Sequence, residues 1–419
     1  MNFKKYFLIN LKQYLVLYIV SFALLATTAV STVVSYQMYT ATYLYCVDGI
    51  CTPAPNYDIF SDLDGGSLGL LASPLMSMFL VLFILMLIMP LFAMGARYSL
   101  TASDTYKQVA QKKNAIRLTN NLTLLLSIIV IFSIVYWGMV IGLAIKHNIA
   151  KIPADECYSY IEGEMNCTVY SKATVNFGVF GIMYPIAIAL AMLQYFISYL
   201  FVSRCNRPIN SVFTLVMGEL ALALIMHTTI LFINNGFIMP QIEAFLASHE
   251  GQEPPIKTIS PISGTGNSST LFPMFFLLSY FTPLISGSKN AFETISDAQT
   301  AIFAISLSIF VILAALGVFA MIFEKDPSGE FAGKPESPRP YQEIIFHIGA
   351  FSIGYIAAAL VFQSIIGFFV LEVFIAALYY VFLGIMRRNF KINLKNLIPY
   401  ISITVVNIAI GLIFYFITL

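Results

Sequence analysis

The chain has 419 residues, of which 59% are hydrophobic and only 10% charged, and its formal net charge is +1. Soluble domains carry about 25% charged residues, so an ordinary soluble fold is excluded and a polytopic helical membrane protein is indicated. The apolar runs are continuous rather than alternating, which excludes a β-barrel; the basic residues are dispersed along membrane flanks, so the net charge says nothing about nucleic acid, and no nucleic-acid partner is predicted.

The chain opens with Lys4 and Lys5, then a polar-interrupted stretch from Phe7 to Lys12. A cleaved secretory peptide has a shorter apolar core and a small-residue cleavage site. Residues 1–12 therefore read as an interfacial helix on the cytoplasmic face, with a short disordered start as an equal alternative. Apolar runs of spanning length follow at about 14–37, 74–96, 120–145, 173–202, 211–236, 300–323, 343–365, 367–386 and 398–418. The predicted fold is all-α, a bundle of about nine spans with the N-terminus cytoplasmic and the C-terminus outside. Ala350, Gly354 and Ala358 in the seventh span form a small-residue ridge suited to close helix packing.

Charge decides one ambiguous segment. Residues 271–286 are apolar but contain Pro273 and Pro283, and could cross or dip in and return. A re-entrant reading places 17 of the 22 Lys and Arg inside: Lys4, Lys5, Lys12, Arg97, Lys107, Lys112, Lys113, Arg117, Arg204, Arg207, Lys325, Lys334, Arg339, Arg387, Arg388, Lys391 and Lys395. Lys146, Lys151, Lys172, Lys257 and Lys289 then lie outside. A crossing would flip everything after it and split the basic residues 11 to 11, which discards the bias that orients membrane proteins. The segment is predicted to re-enter and to pack against neighbouring spans, as irregular backbone at membrane depth must.

Three outer loops result, at about 38–73, 146–172 and 237–299. Cys46 and Cys51 lie in the first, Cys157 and Cys167 in the second, and Cys205 alone on the cytoplasmic side. Even numbers outside fit disulfides in an oxidising space, and Cys46–Cys51 and Cys157–Cys167 are the predicted local bridges. Cross-loop pairing and free thiols remain open alternatives. Neither of these loops has a His beyond His147 at the very membrane edge, which disfavours metal binding.

The chain lacks a phosphate-binding loop: Gly329-Glu-Phe-Ala-Gly-Lys334 has neither the spacing nor the Ser/Thr. It also lacks HExxH, CxxC, GxSxG and dinucleotide patterns, and its four His are scattered. It is predicted to be no enzyme and to bind no cofactor of its own. Glu219 in the fifth span and Glu372 in the eighth are the intramembrane polar candidates, since ionisable groups at that depth often mark transport paths. A structural hydrogen bond to a neighbouring helix is the alternative for each.

The loop between spans two and three has no Gly or Pro from Arg97 to Leu122 and can form a helix. Ser103 suits an N-cap, with Asp104 in the first turn. Tyr106, Val109 and Lys113 share one face. This segment reads either as a solvated basic connector or as a docking helix for a cytosolic motor.

The stretch from Arg97 through Asp104 and Tyr106 to Lys112, Lys113, Ile116, Arg117 and Asn120 resembles the corresponding loop of ABC-2-type permeases of Gram-positive bacteria, the antibiotic-responsive and cell-envelope group. Val109-Ala110-Gln111 stands where that group has a Leu-Pro-basic turn. Glu324 to Pro335 is similar to the run that follows the sixth span there, with the leading Arg and Ser-Glu degraded, and Arg388 to Lys395 is similar to the segment before the last span.

The resemblance implies an ABC-2-like core over residues 1–323 and a three-helix extension over 324–419. It implies a cell-membrane permease subunit that moves an amphipathic or lipid-like cargo, such as a peptide or cell-envelope molecule. ATP and Mg would be held by cytosolic ATPase partners, and a second permease chain would complete the pore. Asp104, Tyr106, Lys107, Gln108, Lys112 and Lys113 would transmit the ATPase motion, with Ser203–Pro208 assisting. The other readings are an ion-coupled secondary transporter and a non-transporting scaffold or sensor subunit.

Overall fold

The computed structural model describes residues 11–35, 39–47, 50–53, 68–95, 113–149, 151, 156–161, 164–172, 177–203, 205, 207–233, 239–248 and 297–323, with single positions over 274–278 and 345–409. Seven helices fall in these ranges: α1 Leu15–Ser35, α2 Leu68–Ala93, α3 Lys113–Ile149, α4 Gly178–Val202, α5 Pro208–Ile233, α6 Met239–Ser248 and α7 Asp297–Phe323. Five of them, α1, α2, α3, α4 and α7, are long and apolar enough to cross a membrane, which makes this a multi-pass membrane protein. The 26 residues of α5 reach about 39 Å, also enough to cross.

These helices match the first six expected spans, with ends that differ by up to seven residues. The fourth begins later than expected, at Gly178, because a strand occupies the chain up to Lys172. Of the expected spans 343–365, 367–386 and 398–418 only scattered single positions are described, all helical, such as Ile345, Val370 and Ile398; residues 324–344 lie outside the described set. So do Ala350, Gly354 and Ala358, and residues 1–10. Within the expected re-entrant segment, Met274, Leu277 and Leu278 are helical and buried in the core; the rest of it is outside the described set.

All the membrane-type segments described are helical. The first two loops expected to lie outside depart from the all-α expectation, because they build a four-stranded antiparallel sheet in the order β2-β1-β4-β3. The strands are β1 Tyr39–Val47, β2 Ile50–Pro53, β3 Glu156–Ile161 and β4 Glu164–Lys172. The physical reason is composition: Tyr, Thr, Val and Cys dominate both segments, and these residues suit a pleated surface. Two hairpins close between the pairs Val47–Ile50 and Ile161–Glu164. Strand β1 then pairs with β4 along its full length, from Tyr39 opposite Lys172 to Val47 opposite Glu164. Two loops far apart in sequence thus lie on one side of the bundle, which requires α1 to α4 to alternate in direction.

Helix α4 is the central strut. It packs on α2, α3, α5 and α7. Over half of the α2 and α4 spans is buried (56% each), against 28% for α1 and α7, whose exposed faces carry residues such as Val16, Val34, Ile312 and Phe319. In a bilayer those faces meet lipid. At mid-height Phe79, Phe132, Tyr136 and Tyr184 form a ring cluster with centroids 5.4–6.3 Å apart. The cluster surrounds the start of α4, where Pro185 lacks the amide that would bond the Gly181 carbonyl. One residue earlier, the Phe180 carbonyl accepts the Tyr136 hydroxyl at 2.8 Å.

On the sheet side, Lys146 of α3 donates to the Val33 and Val34 carbonyls at 2.7 and 2.9 Å. A cation on the last carbonyls of a helix satisfies orphan acceptors and suits the helix dipole. It fixes the end of α1 to α3 just before β1 begins. Lys146→Met keeps the apolar stem and removes the donors. We expect it to cost about 1–2 kcal/mol, read as a lower melting temperature of the purified protein in detergent. Lys146→Met melting together with the parent would refute the cap.

Candidate functional site

A polar seam runs between α4 and α5, at the side of the bundle opposite the sheet. Helix α4 contributes Gln194 and Ser198, one turn apart and therefore on one face. Ser198 Oγ donates back to the Gln194 carbonyl at 2.8 Å, and Gln194 Nε2 lies 3.0 Å from Ser198 Oγ. The same Nε2 donates to Glu219 Oε1 of α5 at 2.7 Å. Gln194 and Ser198 are buried and Glu219 is half-buried.

The depth of this contact follows from the chain. Gln194 precedes the end of α4 by eight residues and Glu219 follows the start of α5 by eleven. At 1.5 Å per residue these are about 12 and 17 Å from the turn, well inside the bundle. Gly218 lets the helices meet there: a Cβ on it would run into the Phe201 ring, 2.8 Å from its Cγ. On another face of α5, a Cβ on Gly349 would lie 2.8 Å from the Met217 carbonyl oxygen. Helix α5 is thus closely packed at the two residues that precede Glu219.

A second set of polar groups lies nearer the turn. Asn121 Oδ1 of α3 accepts the Tyr195 hydroxyl at 2.7 Å. Thr214 Oγ1 donates to the Asn210 carbonyl at 2.8 Å and sits 3.6 Å from Cys205 Sγ. Thr119, Asn120, Asn121 and Thr123 at the base of α3 are all buried. This polar floor ties α3, α4 and α5 together by hydrogen bonds rather than by charge, which suits a low-dielectric setting.

The expected site residues fall into three groups. Glu219 is placed and acquires a partner that sequence reading did not name, Gln194. Asp104, Tyr106, Lys107, Gln108 and Lys112 lie outside the described residues, as does Glu372. Lys113 is the first residue of α3, with its backbone alone described. Of the cysteines, the strand register sets Cys46 opposite Cys51 and Cys157 opposite Cys167, again for backbone only. Comparison with family models, curated proteins and solved structures finds no match.

Proposed function

We propose that this chain is the membrane-spanning subunit of an ATP-driven transporter, with hydrolysis carried out by a cytosolic partner. What most supports the reading is the length of α3. Its 37 residues reach about 56 Å, against ~30 Å of hydrocarbon. The apolar stretch begins at Leu118, so Lys113 to Arg117 project beyond it, on the side of the 97–118 loop. A rigid rod leads from that basic loop past Asn121 to the bundle core. A push delivered at the loop reaches α4 through the Asn121–Tyr195 bond and the aromatic cluster.

On this proposal the N-terminus and the 97–118 segment are cytoplasmic and the C-terminus outside, in the cell membrane. Two permease chains, identical or homologous, pair across the bilayer, and the 324–419 unit adds three spans to each. Asp104, Tyr106, Lys107, Gln108, Lys112 and Lys113 form the ATPase contact. ATP and Mg sit on the partner, and the cargo is amphipathic or lipid-like. The four outer cysteines form the bridges Cys46–Cys51 and Cys157–Cys167.

The test is purification of the tagged full chain from its own membranes. An ATPase that co-purifies, and whose hydrolysis responds to the permease, is the expected result. Asp104→Lys combined with Tyr106→Ala is expected to lower permease-stimulated hydrolysis more than tenfold, while leaving the melting temperature unchanged, as the cytoplasmic reading of the loop requires. Stimulated hydrolysis unaffected by the double substitution would remove the coupling assignment.

A further inference from the structure

We propose that Glu219, with Gln194 and Ser198, forms a binding site for a small monovalent cation, a proton or Na⁺, in the α4–α5 seam. Glu219 Oε1 accepts from Gln194, and Oε2 has no partner among the described residues. No cation faces it. Among the described elements packed against α5, α2 carries no charged residue, α7 only Asp297 at its far end, and α4 only the titratable Tyr184, Tyr195 and Tyr199. The described positions over 345–352 are Ile345, Ile348, Gly349 and Ser352. On α5 itself the other titratable residue is His227, eight positions and two turns on.

A lone carboxylate at this depth is strongly disfavoured unless something neutralises it. The neutral amide of Gln194 gives a hydrogen bond but no charge. No three His, Cys, Asp or Glu gather among the described residues, so the site offers one negative charge and suits a monovalent occupant rather than a divalent metal. Gln194 fits both states of such a site: its NH₂ donates to the anion, and a half-turn of its amide presents the carbonyl oxygen to a protonated acid or to Na⁺. The same half-turn brings the amide oxygen to the place of Nε2, 3.0 Å from Ser198 Oγ, whose hydroxyl can donate to it. The site does not depend on the ATP-driven reading, because a cation can bind whichever force moves the bundle.

The test uses the full chain in lipid nanodiscs and a hydrophobic carbodiimide, which modifies protonated carboxyl groups in apolar surroundings, with the adduct mapped by mass spectrometry. An adduct on Glu219 is expected, absent in Glu219→Gln. If the occupant is a proton, the yield falls as pH rises and ignores Na⁺; if it is Na⁺, added Na⁺ at fixed pH and ionic strength suppresses it while K⁺ does not. Gln194→Leu is expected to move the midpoint of that dependence about tenfold in cation concentration, the scale of one hydrogen bond to a charged group. No adduct on Glu219 in the folded parent protein, or a yield indifferent to both pH and Na⁺, would overturn the site.

Discussion

Gly317→Ala will destabilise the bundle by about 3 kcal/mol, and Gly317→Val will prevent recovery of a monodisperse protein. A Cβ on Gly317 would collide with the Phe196 carbonyl oxygen of α4 and lie 2.8 Å from the carbonyl carbon and 3.4 Å from Cα. These are backbone atoms of one of the two most enclosed spans, so no side-chain rotation relieves the clash. Alanine gains up to about 1 kcal/mol over glycine in a helix interior from propensity. The overpacking term is larger, and it wins. Gly138 of α3 supplies the contrast, because a Cβ there meets nothing within 4 Å. Gly138→Ala should therefore be neutral or stabilising by up to about 1 kcal/mol. Thermal melts of both variants in detergent, followed by fluorescence-detected size exclusion, read the opposite signs. Equal melting of Gly317→Ala and the parent would mean that α7 does not cross α4 at this point.

The contrast between these two glycines marks the limit of what sequence alone could tell. Both sit in apolar runs of spanning length, and their neighbourhoods read alike. Only the crossing of α4 and α7 separates them, and that crossing is a property of two helices more than a hundred positions apart. The spans themselves were legible because each apolar run had to be long enough to cross hydrocarbon, a constraint local to the segment. The sheet was half legible. Asp48-Gly49 follows Val47, and Glu162-Gly163 follows Ile161. Such pairs between Tyr- and Thr-rich runs are a hairpin signal that reading the loops for cysteine spacing alone passed over. The pairing of β1 with β4 was out of reach, since it joins residues 39–47 to 164–172. It required knowing that both loops emerge side by side.

Glu219 shows a similar division. Its presence inside a span was plain from the sequence, and so was its ionisable character. Its partner was not, although counting outward from the short turn at 203–207 puts Gln194 and Glu219 at comparable depths. What the count leaves open is rotation: Gln194 faces α5 because Gly218 draws that face of α5 against Phe201. The 97–118 loop is the opposite case. Its charges and helix signals are clear in the sequence, while residues 97–112 lie outside the described set, so the proposed motor contact rests on the start of α3 at Lys113.

On the proposed pairing, removing both cysteine pairs together is expected to cost about 5 kcal/mol of local sheet stability, close to 2–3 kcal/mol for each short loop closed. Directly opposed residues in an antiparallel ladder have Cα atoms roughly 4.5 or 5.5 Å apart, and disulfides need about 4.4–6.8 Å. The register sets Cys46 opposite Cys51 and Cys157 opposite Cys167, and the proposed pairing rests on that register. The cross-loop alternative does not do as well. Leu44, not Cys46, stands opposite Cys167, and Cys46 stands opposite Met165, so the two cysteines are diagonal neighbours at roughly 7–8 Å or less. Alkylation of the denatured chain without reductant should therefore label Cys205 alone, and digestion should give two linked peptides, 46 with 51 and 157 with 167. Cys46→Ser/Cys51→Ser with Cys157→Ser/Cys167→Ser should leave the helices folded and open the β1–β4 ladder to protease. Four outer cysteines alkylated without reduction, or a 46–167 peptide, would defeat the pairing. The effect belongs outside the bundle for a physical reason: the bridges close loops within each hairpin, while the α4 contacts that hold the spans together lie on the far side of the Lys146 cap.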